Sequence, residues 1–113
     1  MKRHILGLGL AMLTATTLAA SAQEQTHTID RLVAHVSTVP AIAGKPIDLF
    51  VREKVPESIF KRADGKAPSG KVVLMVHGGY SPSTLAFDVP FKNYSWMDYL
   101  AKRGYDVFAM DMT

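Results

Sequence analysis

Cysteine is absent from all 113 residues, which excludes a disulfide framework and any thiolate metal site and leaves an ordinary apolar core to hold the fold. Two sequence strings that would have named a function at once are also missing. There is no Gly-X-Ser-X-Gly, the turn that presents a hydrolase serine, and no Gly-X-Gly-X-X-Gly for a dinucleotide. His27 and His35 stand eight apart without an acid or cysteine at ligand spacing, so no metal and no other cofactor is expected.

Residues 5–18 form the longest apolar stretch, but it is shorter than the roughly 20 residues that span a bilayer and is weakened by Gly7, Gly9 and several threonines. Lys2 and Arg3 precede it, and Ala20-Ser21-Ala22 places small residues where a signal peptidase reads. Residues 1–22 are therefore expected to be a cleaved signal peptide, with Gln23 as the mature start and an exported, periplasmic or secreted product. Membrane attachment follows only if the leader stays uncleaved. Without Lys2 and Arg3 eleven bases face ten acids and the formal charge falls from +3 to +1, so no basic stripe argues for nucleic acid. The remaining 91 residues suffice for one domain at most.

The clearest positive feature is the aliphatic run Val72-Val73-Leu74-Met75-Val76, which ends abruptly in His77-Gly78-Gly79-Tyr80. A short continuous run bounded by glycines predicts a strand buried on both faces, as in a parallel sheet covered by helices. Ile47, Leu49 and Val51 alternate with polar residues and predict a half-buried strand. Residues 28–39 fit either a strand or a short helix. Residues 61–70 combine charge with Asp64-Gly65 and Pro68 and read as an exposed loop.

Residues 95–98, Ser-Trp-Met-Asp, fit a capping box. Trp96 and Leu100, with Met97 and Ala101 beside them, supply an apolar face, and Gly104 supplies the stop. Strand composition returns from Tyr105 to Met110. The order strand, glycine turn, helix, strand is a β-α-β unit, and such units place their chemistry outside the carboxyl ends of the strands, where residues 77–80 lie.

The strand ending in His77-Gly78-Gly79, the helix from Trp96 and the segment Gly104-Tyr105-Asp106-Val107-Phe108-Ala109-Met110-Asp111 together resemble the N-terminal part of the α/β-hydrolase family over residues 71–113, with residues 29–55 matching its first strands. The resemblance implies an α/β fold: antiparallel first strands, then β-α-β of a mostly parallel sheet, incomplete at residue 113. It also implies a serine-type hydrolase of the ester, lipase or related acyl class acting on a small-molecule substrate. By position Gly79, with Tyr80 as its neighbour, would lend a backbone N–H to an oxyanion hole, and His77 would support the loop. The family's nucleophile, acid and base lie further along the chain.

The nearest string to a nucleophile turn, Gly79-Tyr80-Ser81-Pro82-Ser83, lacks the closing glycine. His27, His35 or His77, oriented by Asp88, Asp98 or Asp111, would have to act in an arrangement the family does not use. The expectation is a fragment of an exported hydrolase, inactive by itself. The alternative is a small exported binding module that uses the Gly78-Gly79 cleft without chemistry. Leu85, Phe87, Val89, Phe91 and Tyr94 make residues 81–94 more apolar than a plain connection needs, so the ligand is expected to have an apolar part.

Overall fold

The computed structural model describes residues 23–111, so the expected leader lies outside the described residues. Four strands form one mixed sheet with a few short helices: β1 (Thr26–Val36), β2 (Pro46–Pro56), α1 (Glu57–Phe60), β3 (Val72–Val76), α2 (Ser83–Phe87), α3 (Trp96–Ala101) and β4 (Asp106–Met110). The spatial order is β1-β2-β4-β3. β1 pairs with β2, and β2 with β4, antiparallel. β3 and β4 run parallel, Leu74 opposite Phe108 and Val76 opposite Met110.

Residues 28–39 resolve as strand over most of their length, paired with β2 from Thr26 opposite Pro56 to Val36 opposite Pro46. β2 continues beyond the alternating segment because Val55 and Pro56 are buried at its end, close to the buried Ile59 of α1. The expected loop between α1 and β3 is a chain of turns in which Gly65 (φ 59°) and Gly70 (φ 74°) adopt left-handed backbone.

α3 begins as its sequence indicates. Ser95 Oγ accepts the Asp98 backbone N–H at 2.9 Å, but the Asp98 carboxylate does not complete a reciprocal box. It accepts from the Thr26 hydroxyl at 2.8 Å and pairs with Lys102 at 2.5 Å, which fastens the helix to β1. Gly104 takes φ 83° and donates to the Ala101 carbonyl at 2.9 Å, ending the helix.

The buried face of α3 differs from the expected one. Met97 and Ala101 are fully buried, Leu100 is half-buried, and Trp96 is 68% exposed. Both pairs have i, i+4 spacing, so periodicity alone does not choose between them. The methyl of Ala101 permits close approach to Val107 and Ala109 of β4. With Met97, those three form the core cluster, against which Val73, Met75, Phe87 and Tyr105 pack.

β3 is also corrected. Val73 and Met75 face this core, but Val72, Leu74 and Val76 point to the other side and are 58%, 58% and 49% exposed. Among the described residues, the strand is covered on one face only. It lies at the sheet edge, with β4 on one side, and α2 and α3 both pack on the face that carries Val73 and Met75. Register places Phe108, Met110 and Val51 on the same uncovered face as Leu74 and Val76.

Candidate functional site

The turn after β3 and the end of β4 lie side by side, because Val76 is in register with Met110. This brings His77, Gly78 and Gly79 to the same sheet end as Asp111. His77 is half-buried, and its Nδ1 donates to the Gly78 carbonyl at 2.5 Å, folding the imidazole onto its own turn. Asp111 Oδ1 accepts the Ser83 backbone N–H at 2.7 Å. Burial acts to raise the Asp111 carboxyl, yet the Ser83 bond and the charge of nearby His77 hold it below the ordinary carboxylate value. The carboxylate thus anchors the start of α2, where Pro82 as N-cap makes no side-chain hydrogen bond of its own.

Gly78 and Gly79 are both exposed. Neither has left-handed backbone, and a Cβ built on either would meet nothing within 4 Å. The local fold therefore has no steric need for glycine at either position, unlike Gly104. Tyr80 is fully exposed. Ser81 Oγ donates to the Pro82 carbonyl at a long 3.4 Å, a partner that cannot accept its proton as a base would.

The other candidate bases and acids are dispersed. His27 lies at the opposite end of β1, stacked on Phe60 at 4.0 Å and paired with Glu57. His35 shares with Asp111 the lining of a cavity of about 280 Å³, together with Ser37, Leu49 and Met110, but Asp111 Oδ1 is already engaged by Ser83. Asp98 serves α3. Among the described residues no group of three or more His, Cys, Asp or Glu side chains could hold a metal ion, and no helix is long and apolar enough to cross a membrane.

Two carboxylates are buried that the sequence does not mark as buried, Asp88 from among the candidate orienting acids and Asp106. Asp88, 7% exposed, accepts from Lys54 Nζ at 2.5 Å, Ser95 Oγ at 2.5 Å and Arg52 Nη1 at 3.2 Å, while Arg52 also holds Asp30 at 2.7 Å. Burial opposes ionisation of Asp88, but the Lys54 and Ser95 bonds outweigh it and keep the carboxyl below its ordinary value. This network ties residues 81–94 to β2 and to the cap of α3. Its signal in the sequence was the pair Arg52 and Lys54, two cations at i, i+2 on the helix-covered face of a strand, which require a buried anion.

The second group is Asp106, 5% exposed at the start of β4, with Oδ1 lacking a partner. Burial first, then the charge of Glu53, pushes its carboxyl up to about 6, with Arg31 opposing. Asp106 opens the strand whose other end leads into Asp111, so it stands away from the glycine turn.

No protein-family model, no curated protein and no solved structure matches this chain.

Proposed function

We propose that this chain carries the oxyanion turn of an exported serine-type acyl hydrolase of the α/β-hydrolase fold, and that it does not turn over substrate by itself. The supporting observation is the pair Gly78-Gly79: two adjacent glycines at the carboxyl end of a strand that the backbone does not require for conformation or for space. A site where a substrate carbonyl must approach bare N–H groups does require them. The order β1-β2-β4-β3, with antiparallel first strands and a parallel pair, agrees with the fold the resemblance implies.

One N–H donor, contributed by Gly79 or Tyr80, can polarise a carbonyl but supplies neither a nucleophile nor a proton acceptor. Removing a single donor from a complete oxyanion hole costs about 10²–10³ in rate, so a lone donor without a nucleophile gives no measurable turnover. The test is hydrolysis of a chromogenic short-chain ester by the purified full chain, with and without a fluorophosphonate that labels active serines. Background hydrolysis and no labelled serine are expected. Turnover abolished by the fluorophosphonate would show that the chain has its own nucleophile and would overturn the proposal.

A further inference from the structure

A second surface, whose lining draws on residues 81–94 but includes none of residues 77–80, has the composition of a ligand site. Tyr94, Trp96 and Tyr99 lie on the solvent side of α3 and its lead-in, and they are 59%, 68% and 54% exposed. The helix does not need them for packing, because Met97 and Ala101 carry that role. With Ala86, Val89 and Asn93 they line a cavity of about 550 Å³, within the range of small-molecule sites.

Two of the three rings have neighbours that hold them. Arg103 lies over the Tyr99 ring at 3.5 Å and its Nη1 donates to the Tyr99 carbonyl at 3.0 Å. Phe91 lies 5.9 Å from the Tyr94 ring and extends the aromatic surface. Between them Lys92 adopts φ 50°, a left-handed conformation that costs a residue other than glycine. The Ser95 hydroxyl in the lining is committed to Asp88 and Asp98 and fixes the helix start.

The chemistry of the lining selects the ligand. No charged side chain is among the residues lining the cavity, so the ligand is neutral. The flat faces of Trp96 and Tyr94 accept an apolar surface, while the edges of these rings and of Tyr99, one face of which Arg103 covers, carry the indole N–H and two phenol O–H groups, and Asn93 adds an amide. A plain hydrocarbon would cover these donors and leave them without partners, which is costly. A ring with an apolar C–H face and hydroxyls at its edge satisfies both. We propose that this cavity binds a neutral sugar ring, stacked on Trp96 and hydrogen-bonded at its hydroxyls by the Tyr94, Tyr99 and Asn93 side chains.

Trp96 is the chain's only tryptophan, so its emission reports directly on the site. Dilute full chain is titrated with glucose, galactose, N-acetylglucosamine and their β-1,4- and α-1,4-linked disaccharides, and, in parallel, with the hydrocarbon-like probe naphthalene. At least one sugar is expected to shift the Trp96 emission saturably at about millimolar concentration, the range for a ligand of this size. Tyr99→Ala should weaken that binding about tenfold, and Trp96→Ala, followed by calorimetry, should abolish it, with circular dichroism unchanged. No saturable response to any of these sugars, a response to naphthalene alone, or sugar binding that survives Trp96→Ala would each overturn the assignment. These readings do not depend on ester hydrolysis, so this site and the proposed function stand or fall separately.

Discussion

The uncovered face of β3 should drive self-association, and substituting its three outward residues should remove it. Val72, Leu74 and Val76 are about half exposed, on a strand that has β4 on one side and, among the described residues, no strand on the other. No lysine, proline or bulge protects this edge, the usual means of preventing strand-to-strand pairing. Full burial of such a side chain contributes about 1.5–3 kcal/mol, so the remaining half is worth about 1 kcal/mol each, or about 3 kcal/mol per chain. When two chains meet through this face, changing all three residues to threonine should remove up to about 6 kcal/mol, weakening association more than about a thousandfold. Threonine preserves β-propensity, so the strand itself should survive. Sedimentation velocity of the full chain over two decades of concentration should show concentration-dependent association of the wild type and a single monomer boundary for Val72→Thr/Leu74→Thr/Val76→Thr. A wild type that stays monomeric throughout and unfolds cooperatively would refute the reasoning, because the exposed face would then carry no association energy.

Other outcomes follow in the monomeric threonine background. Asp88→Ala should lower unfolding free energy by about 2–4 kcal/mol in urea titration, since it strands the nearly buried Lys54 ammonium, and adding Lys54→Met should restore part of the loss; Asp64→Ala, which breaks the exposed pair with Arg62 and the exposed bond from the Lys66 backbone N–H, should change it by less than about 1 kcal/mol. Asp106 ionises near 6 in the folded chain and near 3.9 when unfolded. The folded state therefore holds a proton that the unfolded state has released, and its stabilisation, present below pH about 4, should be lost as pH rises through 6. Asp106→Asn should flatten that slope when urea midpoints are measured against pH. Gly79→Ala should leave stability within about 0.5 kcal/mol, whereas Gly104→Ala, at φ 83°, should cost about 1 kcal/mol by thermal unfolding.

The sequence carried the local signals well and the tertiary ones poorly. Ser95, Asp98 and Gly104 mark α3 because capping chemistry is local, and the alternation of Ile47, Leu49 and Val51 marks β2 because a strand's period is two. α2 was hidden inside residues 81–94, since five residues after a proline have no room to show a helical period. The aliphatic run of β3 suggested cover on both faces, but its neighbours in space, not its composition, decide what covers it. Trp96 and Leu100 have the same i, i+4 spacing as Met97 and Ala101, yet the small Ala101 one turn on is what allows Met97 to pack against Val107 and Ala109. At the candidate site, the His77-Gly78-Gly79 turn and Asp111 were both visible in the sequence. That Asp111 is engaged by Ser83, and that Asp88 joins Lys54, Arg52 and Ser95, depended on contacts between distant segments.

The most direct test of the Gly78-Gly79 turn as a hydrolase oxyanion turn is to read the encoding DNA beyond the codon for Thr113 in all three forward frames. A continuation that resumes helix and strand patterns and reaches Gly-X-Ser-X-Gly is predicted, since that serine and the residue after it would complete the site. Unrelated sequence in every frame would contradict it.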